Sequence, residues 1–148
     1  MQLIERLKQT KKETTEYFDL SNKYLSKTYA QGKWTIKEIL HHLADAETVL
    51  YDRIRRVISE PRQVIWGFNQ DLWTQNLDYV NLPLEPNRMV FKSVRDMVIL
   101  LAEQHYESSG HLEFIHSETG LRTLKDEFNK IAWHNEHHLK QIRTAIDS

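Results

Sequence analysis

A chain of 148 residues with 20 Lys plus Arg against 21 Asp plus Glu carries a formal net charge of -1, which leaves no long-range attraction for nucleic acid or an anionic membrane. It has no cysteine, so disulfides, thiolate metal sites and a cysteine nucleophile are excluded from the chain itself. With 40% apolar residues, 28% charged residues, four Gly and three Pro, the composition fits one domain over residues 1–148, built of long helices joined by few turns.

Four long helices are predicted. The first runs from about Leu3 to Tyr29, with Ile4, Leu7, Tyr17, Leu20 and Tyr24 forming a patchy apolar stripe, and Gln31 to Lys33 breaks it. Thr35 and Glu38 in TIKE match a capping box, so the second helix begins there and runs to about Ile58, where Ser59 to Pro61 end it. From Pro61 to Pro86 no period is sustained, but WGFNQDLW brings three aromatics. This predicts a long ordered connection with one short helix. The third helix is expected from about Arg88 to His116, kinked at Gly110, with Gly120 as its C-cap. The fourth runs from about Thr123 to Ile146. The predicted fold class is all-α, a four-helix bundle with a long crossover connection between the second and third helices.

The stretch AWHNEHHLKQI puts three histidines into five residues. Leu124, Phe128, Ile131, Ile142 and Ala145 mark the buried stripe of the fourth helix, and His134 and His138 fall within about 60° of its centre at roughly 100° per residue. His137 points to the side, and Trp133 nearly opposite. Two imidazoles one turn apart on an inward face are what a shared metal ion requires. Without one, each buried ring nitrogen needs its own partner. Glu127, Asn135 and Gln141 flank that face, and Asn135 and Gln141 suit the task of orienting the outer ring nitrogens. In the second helix His42 lies at the edge of the stripe of Ile39, Leu43 and Ala46, looking along a seam, while His41 faces away. His105 falls within the third stripe as a further ligand candidate, and His111 and His116 are expected on the solvated surface.

Other motifs are weaker. In HNEHH, Glu136 faces away from His134 and His138, so the zinc-peptidase arrangement fails. The Glu-x-x-His pairs Glu38–His41 and Glu113–His116 rotate outward, unlike those of di-iron bundles. Glu47 lands on the apolar face and predicts a buried hydrogen bond or a substrate contact.

GKWTIKEILHHLADAE (Gly32 to Glu47), followed by WHNEHHLKQI (Trp133 to Ile142), resembles the DinB-like (YfiT-like) superfamily of metal-binding four-helix bundles. The family's first motif, Trp-Ser/Thr-x-x-Glu-x-x-x-His-Leu, places its ligand at His42 rather than His41. The second, His-x-x-x-His-Leu-x-Gln-Ile, carries ligand roles to His134 and His138. The resemblance implies one divalent ion, nickel or zinc. It also implies a reaction of the kind relatives perform, transfer or isomerisation with a low-molecular-weight thiol such as bacillithiol or mycothiol. Other relatives are described as metal-dependent hydrolases, and some are homodimers, for which outward Trp133 would suit an interface.

Three histidines leave coordination positions open, as a catalytic site does. The expected function is transfer of an external thiol to a small electrophile. The alternatives are hydrolysis by a metal-activated water, with Glu127 or His105 handling the proton, and a non-enzymatic metal-binding stress protein. Trp66, Phe68 and Trp73 of the connection are expected to shape the pocket. The N-terminus, MQLIERLKQTKKE, is too charged for a secretory signal, and a cytoplasmic location is expected.

Overall fold

Two capping boxes start the helices that carry the histidines. Thr35 accepts from the Glu38 amide while the Glu38 carboxylate takes the Thr35 N–H, opening α3 (Ile36–Ser59). Thr123 and Asp126 do the same for α6 (Leu124–Ile146). Each box satisfies two amide donors that a helix start otherwise leaves free. The computed structural model describes residues 2–148. Besides α3 and α6 it contains α1 (Gln2–Tyr17), α2 (Asn22–Leu25), α4 (Gln70–Asn76) and α5 (Leu84–His105), with short strands β1 (Val64–Ile65), β2 (Glu113–His116) and β3 (Gly120–Thr123).

The long helices α1, α3, α5 and α6 form the bundle. Each of α1 and α3 packs against both α5 and α6, so α1 and α3 sit on a diagonal. One apolar layer gathers Leu3, Ile4, Leu7, Ile54, Val57, Val98, Ala102, Leu124 and Phe128; the other gathers Phe18, Ile36, Ile39, Leu40, Phe91, Leu139 and Ile142. The start of α3 therefore meets the start of α5 and the end of α6. Helices α3 and α5 run parallel, and α1 and α6 run against them. Two consecutive parallel helices need a return path along the whole bundle, which is why a long crossover separates them. It is pinned to the outside of α3. Tyr79, fully buried, donates to Asp45, and His41 donates from Nε2 to the Leu82 carbonyl (2.8 Å) while its Nδ1 takes the Asn87 amide (2.8 Å).

Several expectations are corrected. The first helix stops at Tyr17 rather than Tyr29. Phe18 already reaches the second apolar layer, and the turn after it folds Leu25 back onto Ile36 instead of carrying it past the core. The third helix stops at His105, and 113–116 is a strand. Phe114 and His116 point inward and Glu113 and Ile115 outward, a period of two that a four-residue segment displays only faintly in sequence. Gly110 kinks no helix. It lies in the turn after α5, where an added Cβ would meet the Tyr106 carbonyl oxygen at 2.3 Å. Gly120 caps no helix either; at φ +83° it turns the β2–β3 hairpin. His41 faces away from the core stripe as expected, yet the crossover buries it completely. His116 is also buried, not solvated.

Between the apolar layers lies a polar one. Arg95 of α5, fully buried, donates to both Glu47 oxygens (2.6 and 2.9 Å), the Asn135 carbonyl oxygen (2.8 Å), the Leu7 carbonyl (2.9 Å) and Thr10 Oγ1 (2.8 Å). Asn135 in turn donates to Thr14 Oγ1 (3.0 Å). All four long helices meet in this one network.

Candidate metal centre

His42 from α3 and His134 and His138 from α6 meet between the helices. The pair on α6 is one turn apart, with ring centroids 4.6 Å apart, and His42 closes the triangle with centroids at 5.0 and 4.8 Å from them. Nε2 of His42 lies 3.0 Å from Nε2 of His134, and one nitrogen from each ring lies within 4.8 Å of the others. Nitrogens held about 2.1 Å from a common tetrahedral ion stand about 3.4 Å apart. The widest pair therefore has to close by at most about 1.4 Å, a side-chain adjustment on binding, while the His42–His134 pair at 3.0 Å is already close enough.

The chemistry of the donors fits a cation. Burial pushes the ring pKa of His42 down to about 3, of His134 to about 2 and of His138 to about 4, so all three are neutral with a lone pair to offer. Their mutual repulsion as cations lowers His42 and His134 further. His138 donates from Nδ1 to Gln141 Oε1 (2.7 Å), leaving Nε2 as its acceptor nitrogen. Nδ1 of His42 is buried with no hydrogen-bond partner among the described residues. Trp34 lies over His42 and His138 (centroids 4.9 and 6.2 Å), and Phe68 stacks on His42 at 6.3 Å.

Two cavities flank the triad. The larger, about 510 Å³, is lined by Trp34, Gln70, Asp71, Trp133, His137 and Gln141 together with His134 and His138. The smaller, about 190 Å³, shares His134 and Gln70 with the first and is otherwise lined by different residues.

The remaining sequence-predicted residues fall in varied places. Gln141 does hold a ring nitrogen. Asn135 does not: its amide is committed to Arg95 and Thr14. Glu127 is fully buried against Arg53 (3.7 Å), about 10 Å along the helix axis before His134. His105, half-buried, ends α5 at the end of the bundle where the first apolar layer lies, away from His42, and is not among the converging histidines. Glu136 pairs with Arg6 (2.6 Å), away from the triad as expected. Trp133 is 59% exposed on the rim of the larger cavity and stacks on His137. Phe68 packs on Trp73 (4.8 Å), whereas Trp66 stands 76% exposed and offers only its carbonyl, to Arg53. Sequence reading missed Arg53, Arg95 and Lys130, because a charged residue on a helix predicts solvent unless its facing is counted. Counting would have placed Arg53 beside Leu50, Ile54 and Val57.

The neutral rings set a pH dependence for the metal-free protein. Their pKa values in the fold lie below the ordinary value of about 6.5, so on acidification the unfolded chain gains protons that the fold refuses. Stability is complete above about pH 6.5 and falls as pH drops towards 4, by roughly 1 kcal/mol per ring per pH unit. Thermal unfolding of chelator-treated protein at pH 7 and pH 5 should show a clearly lower Tm at pH 5. An unchanged Tm would mean that the rings are not held neutral.

Comparison with known proteins adds relatives to this geometry. The family model described as DinB superfamily matches residues 6–142. Two Oceanobacillus iheyensis proteins, each named "putative metal-dependent hydrolase" (OB0413 and OB0782), are 30% and 31% identical to this chain. The matches cover 87% and 84% of it, and 74% and 72% of theirs. Among solved structures, YfiT from Bacillus subtilis superposes with a TM-score of 0.87 at 20% identity, over 96% of this chain and 82% of that one. It is described as "a probable metal-dependent hydrolase with an unusual four-helix bundle topology". No described helix is long and apolar enough to cross a membrane.

Proposed function

This chain belongs to the DinB superfamily, and we propose that it is a metal-dependent enzyme. It holds one divalent cation, nickel or zinc, on His42, His134 and His138, and joins a low-molecular-weight thiol of the bacillithiol kind to a small electrophile. One observation carries this reading: three neutral imidazoles converge on a point that two cavities flank, with His134 and Gln70 as the shared wall. Three protein ligands leave positions open for a reactant, and two compartments give two reactants separate places. When bound, the ion supplies Lewis acidity, lowering the pKa of a thiol or water that reaches it. The chain's own side chains prepare that chemistry. Gln141 fixes the His138 tautomer, and Trp34 and Phe68 keep solvent from His42. With no cysteine in the chain, the thiol enters as a cosubstrate.

The second reading is hydrolysis, favoured by the names the relatives carry. Asp71 and His137 on the larger cavity wall are then the groups placed to take a proton, since Glu127 and His105 line neither cavity. The test is turnover by purified, metal-loaded protein. A chromogenic electrophile should be consumed only when bacillithiol is added. Hydrolysis of a chromogenic ester without thiol would replace transfer with the second reading, and failure of both would leave a metal-binding protein without catalysis.

A further inference from the structure

The smaller cavity is walled by charge that the metal centre does not use. Arg53 is 3% exposed, and its guanidinium is poorly satisfied. One NH2 proton reaches the Trp66 carbonyl at 3.1 Å, NH1 lies 3.7 Å from Glu127, and Nε is buried with no partner among the described residues. A buried guanidinium normally uses its fork on a carboxylate with two parallel hydrogen bonds. Glu127 does not supply them: both its oxygens are buried without a hydrogen bond. Lys130, one turn before His134 on the same helix, lines the same cavity, and its ammonium makes no hydrogen bond among the described residues. His116, 4% exposed, accepts the Glu118 and Thr119 amides on Nδ1 (3.1 and 3.3 Å). Its proton is thereby fixed on Nε2, a further donor.

We propose that this cavity is a subsite for a carboxylate carried by the substrate, held by Arg53 and Lys130 with His116 assisting. The proposal rests on the metal-centre reading for its place in catalysis but not for its binding chemistry. Besides buried Glu127, the exposed carboxylate of Glu118 lines the cavity and acts on Lys130 and His116, so the wall is formally balanced. The attraction for an anion comes from the unused donors of Arg53 and Lys130, from which neither carboxylate accepts a hydrogen bond. A planar fork beside an ammonium matches the two oxygens of a carboxylate, and with two carboxylates already at the wall a single added negative charge meets less repulsion than the double charge of a phosphate. The volume of about 190 Å³ admits a carboxylate with a short stem. Because His134 is part of the same wall, a carboxylate held there places the rest of the molecule alongside the triad. The substrate class is thus a small carboxylic acid whose reactive centre stands a few bonds from its acid group. Burial lowers the Lys130 pKa while the Glu127 charge works the other way, and an arriving carboxylate would reinforce the charged form.

The test is binding of 3-phenylpropanoate against 3-phenylpropanamide, by calorimetry and by NMR of the Arg53 Nε–H resonance, on metal-loaded and on chelator-treated full-length protein. The expected result is saturable binding of the acid, with a shift of the Arg53 signal, at least tenfold tighter than the amide and equal in both metal states. Lys130→Met should weaken acid binding tenfold or more without changing metal content. Arg53→Met/Glu127→Gln, which removes both buried charges together, should abolish the preference for the acid. Equal binding of acid and amide, or no effect of Lys130→Met, would overturn the subsite. Acid binding that disappears when the metal is stripped would also overturn it, placing the carboxylate on the ion instead. If no metal binds and the acid still does, the subsite stands and the metal-centre reading fails.

Discussion

His134→Ala should cost this protein its metal, while His137→Ala should leave the metal in place. Both residues lie within one turn of α6, but only His134 points its Nε2 at His42, 3.0 Å away. His137 sits exposed against Trp133; it touches the site through a 3.5 Å approach to Gln141 and an edge contact with the His138 ring (centroids 5.2 Å), and its nitrogens are not among those that converge. Structural zinc on four ligands binds with about 10–16 kcal/mol, or roughly 3 kcal/mol per ligand, so losing one of three weakens binding by about 100-fold. Removing the hydrogen bond that steadies a ligand costs about 10–100-fold, so Gln141→Ala should fall between the two histidine variants. Elemental analysis after dialysis at fixed free nickel or zinc would give the order His134→Ala, Gln141→Ala, His137→Ala from least metal to most. Equal losses from His134→Ala and His137→Ala would show that the ion, if bound, lies elsewhere.

Arg95→Met should destabilise the fold more than any apolar truncation of similar size near it. The guanidinium makes five hydrogen bonds to α1, α3 and α6, and its loss leaves the Glu47 carboxylate 4% exposed and without its cation. Breaking one side of a buried pair costs about 3–5 kcal/mol, whereas replacing both partners by apolar groups is often close to neutral. Urea unfolding should accordingly place Arg95→Met several kcal/mol below wild type and Arg95→Met/Glu47→Leu well above the single variant. If single and double variants unfold at the same urea concentration, the pair contributes through packing alone. Asn135 belongs to this network, which explains why a residue adjacent to His134 in sequence steadies the bundle rather than an imidazole.

The bundle was legible because its signals are local. A capping box is complete within four residues, and Thr35–Glu38 announced α3 to the residue. The inward facing of His134 and His138 follows from counting along one helix, and the pair duly lies inside. The hairpin at 113–123 and the break at Tyr17 were not legible. Each depends on what the segment meets: Phe114 on the core, and Leu25 on the start of α3. The family motif pointed to His42 over its neighbour, yet periodicity alone could not see that both would be buried. His41 is covered by segments lying 35 or more residues downstream in the chain, through Tyr79 and Leu82 of the crossover and Asn87 in the first turn of α5.

By itself the sequence determined the number of long helices, the need for a long return between the second and third, and which imidazoles share a face. Those are properties of spacing, cap chemistry and helical rotation, all contained in a few consecutive residues. Only the tertiary structure decided that α3 lays His42 within 3.0 Å of His134, that Arg95 binds four helices together, and that Arg53 and Lys130 wall a cavity beside the triad. Distances between residues far apart in the chain are set by how the helices pack, and the burial that packing imposes decides whether a charged side chain is solvated or committed to a partner.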